Sequence, residues 1–341
     1  MSMTPREVVR AAIRFETPDR LPVEMGSLGY SDIFGIGLEH DSERRQTGKG
    51  VDEWGCTWAK SEMANMGQVK GHPLKEYSQV GDYLLPDPHD PWIYERITEI
   101  LKAPEAQYKY VNVGQFMVLF ERMHTLMGFE KVLEGLYLEP EAMGVIADRL
   151  VAYDIAKINR CGELFGDKIQ AYGGTDDWGT QIAMFINPGK WREFFLPRYR
   201  KIYEAVHSWG WDARLHSCGK LNEVIPLFIE AGLEDINLQQ PKALGIKEIG
   251  KKLAGKICFT SLCDIQHTLP VGDKKAIEKE AELLLKEWAT PKGGFIFSDY
   301  GDGAAIGVPD TTKRVMFNAF LSRDPFRKAS GVKHPALDVV K

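Results

Sequence analysis

The sequence predicts an α/β fold, a TIM-type (β/α)8 barrel with an irregular N-terminal capping region, as a single domain over residues 1–341. The chain has 341 residues, an ordinary length for one barrel of this kind. From residue 108 short apolar runs alternate with longer helical patterns, which is typical of βαβ crossovers and a parallel sheet. No GxGxxG or Walker-type glycine loop opens any of these helices. A doubly wound, nucleotide-binding sheet is therefore the less favoured alternative.

The N-terminal region, residues 1–107, begins with a clear helix signal. Thr4 is a candidate N-cap, Pro5 takes the first helical position, and Glu7 completes a capping box three residues after the cap. Residues 20–25 ("RLPVEM") then predict a short first strand, followed by the glycine-punctuated "GSLGYSDIFGIG". Residues 40–107 are polar and weakly periodic, so we expect loops, short helices or a hairpin that caps one end of the barrel.

Six further strands are predicted in the main βα repeats, residues 108–320. Their sequences are "YKYVNVG", "KIQAYGGTDD", "ARLHSCG", "DINLQQP", "KICFTSL" and "GGFIFSDYG". With the first strand they make seven, one short of the eight that close a barrel. We expect the missing strand in the poorly periodic region before residue 108. Residues 321–341 predict a flexible C-terminal tail.

Composition and charge exclude several classes of protein. Hydrophobic residues make up 44% of the chain and charged residues 27%, as in a globular protein with a large core. The formal charge of -5 and the lack of a long Lys/Arg run argue against a nucleic-acid partner. We find no signal peptide and no membrane-spanning window, and the five thinly spread cysteines do not form a disulfide pattern. The sequence therefore predicts a cytoplasmic protein that binds neither nucleic acid nor membrane.

Polar side chains gather at the predicted strand ends, where barrels of this type hold their active sites. His216 and Cys218 are two positions apart and therefore point to the same side of their strand. With Cys263 at the end of a nearby strand they make a Cys2His donor set with one position open, the arrangement of a catalytic zinc. Asp299 and Asp302, after the last strand, are the alternatives to Cys263.

Other strand-end residues are candidates for catalysis or for contacts with substrate. Asp176 and Asp177 are the candidate catalytic carboxylates; one would serve as general acid or as a hydrogen-bond partner of a metal ligand, and the alternative for an Asp at this position is to cap the next helix. Glu121 lies at a predicted helix start, where an ordinary ion pair is the favoured interpretation. Four candidates for substrate binding, the first two with buried packing as the alternative, are Trp178, Gln181, Gln239 and Tyr300.

Four segments of the chain also resemble a known superfamily. "TPREVVRAAIRFETPDRLPVE", "GGTDDWGTQIAMFINPGKWREFFLPRYRKI", "LHSCG" and "GGFIFSDYGD" together resemble the uroporphyrinogen decarboxylase superfamily, in the right order and over nearly the whole chain. The resemblance implies a TIM-like barrel with its site at the mouth. One branch holds metal-free decarboxylases that bind a tetrapyrrole polycarboxylate. The other branch holds cobamide-dependent methyltransferases, which bind zinc with His-x-Cys and a distant Cys.

Two departures from the family patterns bear on the choice of branch. Decarboxylases carry an arginine-rich loop after the first strand, whereas this chain reads "MGSLGYSDIFGIG", without Arg or Lys. A tetrapyrrole would therefore lose charge-assisted hydrogen bonds of about 1.5–3 kcal/mol each. The thiol-methylating branch has its last Cys in the final strand, where this chain reads "SDYGDG". The resemblance thus transfers His216 and Cys218 and leaves the third ligand open.

The resulting prediction is a zinc-dependent methyltransferase that acts between a small methyl donor or acceptor and a methylcobamide carried by a separate corrinoid protein. A partner is expected because the chain has no spare domain for the corrinoid. Zinc would act as a Lewis acid or hold a thiolate. Two alternatives stay open. One is a metal-free decarboxylase or lyase acting through Asp176 or Asp177, and the other is a non-catalytic corrinoid- or tetrapyrrole-binding protein.

Overall fold

The computed structural model describes residues 2–38, 50–59, 67–327 and 333–340, and the statements below concern these residues. Their strands are β1 (Val23–Met25), β2 (Tyr30–Ser31), β3 (Ile33–Gly37), β4 (Thr57–Ala59), β5 (Gln68–Gly71), β6 (Tyr110–Gln115), β7 (Ala171–Thr175), β8 (Asp212–His216), β9 (Asp235–Leu238), β10 (Cys258–Ser261) and β11 (Phe295–Ser298). Each of the seven predicted strands is present, as β1 and β6–β11.

Nine of these strands form one sheet, in the order β2-β1-β11-β10-β9-β8-β7-β6-β3. Neighbours from β1 round to β3 pair in parallel, and the short β2 pairs antiparallel with β1. Asp32, between β2 and β3, links β1 to β6. Its N–H donates to the Val23 carbonyl of β1 at 2.7 Å, and its carbonyl accepts from the N–H of Tyr110 of β6 at 3.0 Å. The eight parallel strands therefore make a nearly closed barrel, and the predicted fold class is confirmed.

The eighth parallel strand is β3, which lies before residue 108 as expected but ahead of the weakly periodic residues 40–107. Two of its five residues are glycines, Gly35 and Gly37. A strand prediction rests on alternating or continuous apolar residues, and "IFGIG" shows neither pattern clearly. Pairing of β3 with β6 over its full length is what makes this segment a strand.

Helices surround the barrel. They are α1 (Pro5–Ile13), α2 (Pro91–Ile100), α3 (Pro104–Tyr108), α4 (Phe120–Met127), α5 (Phe129–Leu138), α6 (Pro140–Phe165), α7 (Pro188–Phe194), α8 (Leu196–Ser208), α9 (Ile225–Ala231), α10 (Pro241–Leu244), α11 (Ile246–Leu253), α12 (Thr268–Val271), α13 (Lys274–Trp288), α14 (Asp310–Leu321) and α15 (Ala336–Val339). The main core lies between strands and helices and includes Val113 and Ile236. Their strand neighbours Asn112 and Asn237 face the barrel interior, so alternation separates packing residues from cavity residues.

Helix α1 closes the amino-terminal end of the barrel. Its predicted capping box is present, since the Thr4 hydroxyl accepts from the N–H of Glu7 and the N–H of Thr4 donates to the Glu7 carboxylate. The apolar face of α1 packs on residues at the starts of β3, β6, β7 and β10, namely Ile33, Tyr110, Ala171 and Cys258. This plug leaves the carboxyl end of the barrel as the end where a site can open.

The described parts of residues 40–107 contain a hairpin and short helices, as expected from the sequence. Strands β4 and β5 pair antiparallel, and α2 and α3 are short helices. Residues 39–49 and 60–66 lie outside the described residues.

The C-terminal segment is not a free tail where it is described, which corrects the prediction for residues 321–341. Asp324 accepts from the N–H of Leu21 at 2.9 Å. His334 is fully buried, and its Nε2 donates to the carbonyl of Leu21 at 2.8 Å. The two side chains satisfy both backbone polar groups of Leu21, which buried backbone requires. The segment thereby fastens the chain just before β1.

Two further expectations from the sequence can be compared with the described residues. All five cysteines are free thiols, four of them buried and Cys218 partly exposed. None of the described helices combines the length and the apolarity that crossing a bilayer demands.

Candidate functional site

A cavity of about 850 Å³ opens at the carboxyl ends of the barrel strands. This is the end at which barrels of this type hold their active sites. The volume falls within the range of about 300–1,000 Å³ that is usual for small-molecule sites. Seven of the residues considered in the sequence analysis line this cavity: Glu121, Asp177, His216, Cys218, Gln239, Asp299 and Tyr300.

Three of the lining side chains form a compact group of metal-ligand donors: Asp177, His216 and Cys218. Their donor atoms all lie within 4.8 Å of one another. Cys218 Sγ is 3.4 Å from His216 Nε2, which is 3.8 Å from Asp177 Oδ1. Thiolate, imidazole and carboxylate are all ligands that zinc accepts. The described part of the chain contains no second set of three such donors.

Two strand ends and a close loop crossing bring the donors together. His216 is the last residue of β8, and Asp177 follows the neighbouring strand β7 by two residues. The N–H of Cys218 donates to Asp177 Oδ1 at 2.7 Å. Gly219, with φ +96°, passes so near Gly179 that a Cβ would lie 2.2 Å from the Gly179 carbonyl oxygen. Glycine is required at this crossing, which fixes the turn that presents Cys218.

Asn237 on β9 fixes the orientation of the His216 ring. Its Oδ1 lies 2.6 Å from His216 Nδ1. A neutral imidazole that donates through Nδ1 carries its lone pair on Nε2, the nitrogen that faces Cys218 and Asp177. Metal-ligating histidines almost always have such a partner behind the ring. The imidazole is therefore held in the orientation of a nitrogen ligand.

The surroundings of the donor group are acidic. Burial, followed by the nearby carboxylates of Asp177 and Glu121, raises the pKa of the Cys218 thiol well above its usual range. Burial, followed by the carboxylates of Asp177 and Asp176, likewise raises the pKa of Glu121. A divalent cation among these groups would favour their charged forms and would lower both pKa values.

Cys263 does not belong to the donor group, which corrects its prediction as the third ligand. The side chain is fully buried, and its Sγ donates to the carbonyl of Ile277 in α13 at 3.6 Å. Strand β10 ends at Ser261, so the alternation that would direct Cys263 into the barrel stops before it. Asp264 then accepts N–H bonds from the residues that follow and turns the chain toward the outer helices. Asp177 is the third donor in the structure.

The two candidate catalytic carboxylates have different surroundings. Asp176 is fully buried and accepts the N–H groups of residues 119–121 at 3.2, 2.9 and 2.6 Å, and the Tyr199 hydroxyl also donates to it. It therefore caps the start of α4, the helix that follows β6, and not the helix that comes next in the chain. Burial raises the pKa of Asp176 to about 7. Of the pair, Asp177 lines the cavity.

The structure brings two of the four predicted substrate contacts to the cavity, Gln239 and Tyr300. Trp178 is fully buried and stacks on Phe120 with ring centroids 4.6 Å apart, so it packs in the core behind the site. Gln181 is exposed in the loop after β7 and is not part of the cavity wall.

The two carboxylates considered as alternatives to Cys263 lie outside the donor group. Asp299 lines the cavity, accepts from the Ser27 hydroxyl and lies 4.0 Å from Lys313 Nζ. Asp302 accepts the N–H of Ala305 at 3.1 Å, at the start of a short 3-10 turn. Both carboxylates are thus occupied with local contacts.

The sequence reasoning missed an ion-pair network inside the barrel. Arg214 Nε donates to Asp235 Oδ2 at 2.7 Å, and Arg214 Nη2 donates to Glu24 Oε2 at 3.0 Å. Arg214 lies two positions before His216, so the period of two along β8 could have placed it in the cavity. Asn237 had no comparable signal, because its role depends on the pairing of β9 with β8.

For Glu121 the sequence favours a helix-start ion pair, and in the structure its carboxyl group lines the cavity. The Thr175 hydroxyl donates to Glu121 Oε2 at 3.1 Å and accepts from the N–H of Met117 at 2.9 Å. Met117 has φ +61°, a left-handed conformation that is uncommon outside glycine. Such outliers often cluster at functional sites.

Comparisons with known proteins agree with this architecture. The chain is similar to a solved methyltransferase from Methanosarcina mazei, with a TM-score of 0.70, 15% identity, and 94% of this chain and 98% of that chain covered. A D-psicose 3-epimerase solved in the presence of D-fructose gives a TM-score of 0.44 at 9% identity over 90% of each chain. At 15% identity the first likeness shows the fold. No curated protein matches the sequence. Residues 60–321 match the family model of uroporphyrinogen decarboxylase (URO-D), and the chain belongs to this family.

Proposed function

We propose that this protein is a zinc-dependent methyltransferase that moves a methyl group between a small molecule and a corrinoid carried by a separate protein. One observation carries the proposal: a thiol, an imidazole nitrogen and a carboxylate oxygen converge within 4.8 Å at the wall of an open cavity. Structural zinc sites are closed by four protein ligands, whereas catalytic sites use three and keep one position open. The donor group matches the catalytic arrangement.

The residues present suit zinc. Zinc binds sulfur at about 2.3 Å and nitrogen or oxygen at about 2.0–2.2 Å. Donor atoms 3.4 and 3.8 Å apart can surround one ion at these bond lengths. Bound zinc would supply Lewis acidity at the cavity wall and favour the thiolate form of Cys218.

The protein's own groups prepare the site for this chemistry. Asn237 holds the imidazole of His216 with Nε2 toward the other donors. Glu121, held by the Thr175 hydroxyl, places a carboxyl group near Cys218, where it can accept or donate a proton of the bound molecule. The cavity receives the small molecule and opens at the mouth of the barrel, from which a corrinoid partner can approach.

Family membership and structural similarity support the proposal. The URO-D family is shown for the chain, and the solved structure with the TM-score of 0.70 is named a methyltransferase. The "LHSCG" segment resembles the zinc-binding segment of the cobamide-dependent branch, and it contributes two of the three donors. The proposed corrinoid partner follows from this resemblance.

Decarboxylation of uroporphyrinogen has less support. The described cavity wall carries five carboxylates, those of Glu24, Glu121, Asp177, Asp235 and Asp299. Its arginine, Arg214, already donates to two of them. A polycarboxylate would face like charges and would have to compete for this guanidinium.

Metal content tests the proposal directly. Protein purified anaerobically should hold about one zinc per chain, since three donors and a water can complete a tetrahedral site. We expect His216→Ala, Cys218→Ala and Asp177→Ala each to lower zinc affinity by at least about tenfold. Cys263→Ala is the matched control, because this thiol lies outside the donor group. Full zinc occupancy in the Cys218→Ala protein would refute the site.

A transfer assay tests the reaction itself. The zinc-loaded protein is incubated with a methylated corrinoid protein and a panel of thiols, amines and phenols, and methylated products are measured. We expect transfer to at least one acceptor class, with loss of transfer in the Cys218→Ala protein. Full zinc content without transfer to any of these acceptors would favour the non-catalytic alternative.

A further inference from the structure

Arg214 on β8 crosses the interior of the barrel beneath the donor group. It lies two positions before His216 and on the same face of the strand, so it is deeper in the barrel. Its Nε donates to Asp235 on β9 at 2.7 Å, and its Nη2 donates to Thr260 on β10 at 3.3 Å and to Glu24 on β1 at 3.0 Å. β8 and β1 are four strands apart in the ring of eight parallel strands. The side chain therefore reaches from one side of the barrel to the other.

One nitrogen of this guanidinium has no partner among the described residues. Nε and Nη2 have the three acceptors given above, and no described residue accepts a hydrogen bond from Nη1. Arg214 is 7% exposed and lines the cavity. Buried polar groups in folded proteins are almost always hydrogen-bonded. The N–H groups of Nη1 are thus available to a molecule in the cavity.

Two further side chains at this depth have polar atoms without a partner in the described part of the chain. Ser298 ends β11, the strand between β10 and β1, and is the register partner of Glu24. Its side chain is 2% exposed, and its hydroxyl group is unpaired. The side-chain oxygen of Asn112, on β6, is also buried and unpaired. Both residues line the cavity, and we call the surface formed by Glu24, Asn112, Arg214 and Ser298 the cavity floor.

The guanidinium lies in front of the strand that carries Ser298, because Arg214 Nη2 bonds to the strands on both sides of β11. Nη1 can only donate hydrogen bonds, whereas a serine hydroxyl can donate or accept. An oxygen atom of a bound molecule can therefore accept from both groups. If that oxygen belongs to a hydroxyl group, its hydrogen can be donated in turn to an acceptor such as the Asn112 side chain.

Charge and geometry favour an uncharged oxygen on the cavity floor. A carboxylate binds arginine best as a fork across two neighbouring nitrogens, and both edges of the guanidinium that allow a fork include Nη2, which is occupied. Asp235 and Glu24 also place two carboxylates against the one positive charge of Arg214. An anion would meet this surplus of negative charge, and a cation would meet the N–H groups of Nη1. An uncharged oxygen meets neither penalty.

We propose that the small molecule carries an uncharged oxygen, best a hydroxyl, at the end that faces away from the donor group, and that Arg214 and Ser298 bind this oxygen on the cavity floor. Residues along a strand rise about 3.3 Å each, so the floor at Arg214 lies roughly 7 Å below His216. The substrate class is therefore a small alcohol whose hydroxyl group lies at about this distance from the atom that carries or receives the methyl group. The inference rests on the proposed function for the chemistry at the donor group, whereas binding of the oxygen does not depend on metal.

Four methyl ethers of equal length test the inference with the full chain as purified. 4-Methoxybutan-1-ol ends in a hydroxyl group, 1-methoxypentane in a methyl group, 4-methoxybutanoate in a carboxylate and 4-methoxybutylamine in an ammonium group. Their dissociation constants are measured at pH 7 by NMR, from the broadening of the methoxy resonance. We expect the alcohol to bind at least about tenfold more tightly than each of the other three, the usual effect of a hydrogen bond to a charged group.

Two variants locate the binding to the cavity floor. Ser298→Ala removes a hydroxyl group without a described partner, so the thermal midpoint should not fall, whereas affinity for the alcohol should fall about fivefold. Arg214→Lys keeps a cation between Asp235 and Glu24, removes Nη1 and should weaken the alcohol at least about tenfold. Both variants should bind 1-methoxypentane as the wild type does. Ser217→Ala is the matched control, because this serine is also buried with an unpaired hydroxyl group but does not line the cavity.

The outcomes separate this inference from the proposed function. Equal affinity for the four probes, tightest binding of the carboxylate or ammonium probe, or unchanged affinity for the alcohol in both variants would overturn the inference. An equal loss of alcohol binding in Ser217→Ala and Ser298→Ala would overturn it as well. Protein that prefers the alcohol but holds no zinc contradicts the proposed function and supports the cavity floor. Protein that holds zinc but does not discriminate among the probes contradicts the cavity floor alone.

Discussion

His216 and Asn237 lie directly opposite each other on β8 and β9, and their Nδ1 and Oδ1 atoms are 2.6 Å apart. The contact assigns the ring lone pair to Nε2, which faces Cys218. The contact depends on the register of the sheet. If β9 were shifted by one residue against β8, Asn237 would point to the opposite face of the sheet from His216. The orientation of the nitrogen donor is therefore fixed by strand pairing.

Removal of this contact should weaken metal binding. We expect Asn237→Ala to lower zinc affinity by about 10–100-fold, the usual effect of losing the partner behind a ligating histidine. Competition with a chromophoric chelator measures the affinity. Asn237→Asp keeps an oxygen acceptor and should recover most of it. Affinity within twofold of wild type in Asn237→Ala would show that the ring needs no such support.

The identity of the third donor can be read from X-ray absorption at the zinc edge. With Asp177 as the ligand, the spectrum should contain one sulfur at about 2.3 Å and nitrogen or oxygen neighbours at about 2.0–2.2 Å. Cys263→Ala protein should give the same spectrum. Two sulfurs in the wild-type protein, falling to one in Cys263→Ala, would return Cys263 to the ligand set.

The adjacent residues Asp176 and Asp177 should respond differently to substitution. Asp176→Ala leaves three buried N–H groups at the start of α4 without their acceptor, so we expect a loss of about 2–4 kcal/mol in the free energy of unfolding. Asp177→Ala should lower zinc affinity with a much smaller loss of stability in the metal-free protein. Denaturant unfolding of both metal-free variants makes the comparison, and equal losses would contradict it.

Uroporphyrinogen should not be a substrate. The segment after β1 carries no Arg or Lys, and the described cavity wall is rich in carboxylates. We expect no coproporphyrinogen in an anaerobic assay, whether or not zinc is present. Turnover that survives removal of zinc would instead favour a metal-free decarboxylase.

Stability should depend on pH through His334. Its Nε2 donates to the Leu21 carbonyl and its Nδ1 accepts from the N–H of Ala336 at 3.1 Å, so the neutral ring is fully bonded. Burial lowers the pKa of His334. The contribution is therefore fully present above the unfolded pKa of about 6.5 and is lost as the pH falls toward the folded pKa. The difference in unfolding free energy between wild type and His334→Gln should therefore shrink from pH 7.5 to pH 5, as measured by denaturant unfolding at the two pH values.

His207 provides a control of opposite sign. Its hydrogen bond to Glu234 raises the pKa of His207, so its contribution is present at low pH and is lost as the pH rises through the folded pKa. The difference between wild type and His207→Gln should therefore grow as the pH falls. The same trend in both variants would show that the tail contact of His334 does not depend on its protonation.

Local pattern in the sequence was enough to predict seven of the eight parallel strands of the barrel, all except β3. Period-two spacing put His216 and Cys218 on one side, and the structure brings these two side chains together. Cys218 and Cys263 each lie two residues beyond the end of their strand, so alternation along the strand places neither of them. The turn at Gly219 presents Cys218 to the cavity, whereas the turn after β10 directs the Cys263 thiol under α13. Strand ends are defined by hydrogen bonds to neighbouring strands, which a single sequence does not display.

The remaining parts of the site depend on contacts between distant segments. Asn237 is placed by the pairing of β9 with β8, and Glu121 is held by Thr175, 54 positions away. The strand β3 is recognised by its pairing with β6, since its glycines give it little strand propensity. Such pairings are set by the whole fold, so the sequence indicates the type of chemistry more readily than the full set of residues that carry it.

The fastening of Leu21 by His334, 313 positions further along the chain, has a consequence for biosynthesis. β1 also needs β11 to complete its pairing, since Val23 pairs with Phe297. At about 5–20 residues per second, roughly 15–60 s pass between the emergence of β1 from the ribosome and that of its partners. Throughout this interval β1 lacks its β11 partner, and its Val23 and Met25, which are buried in the finished barrel, lack their final packing. We therefore expect nascent-chain chaperones to be needed most at this stage.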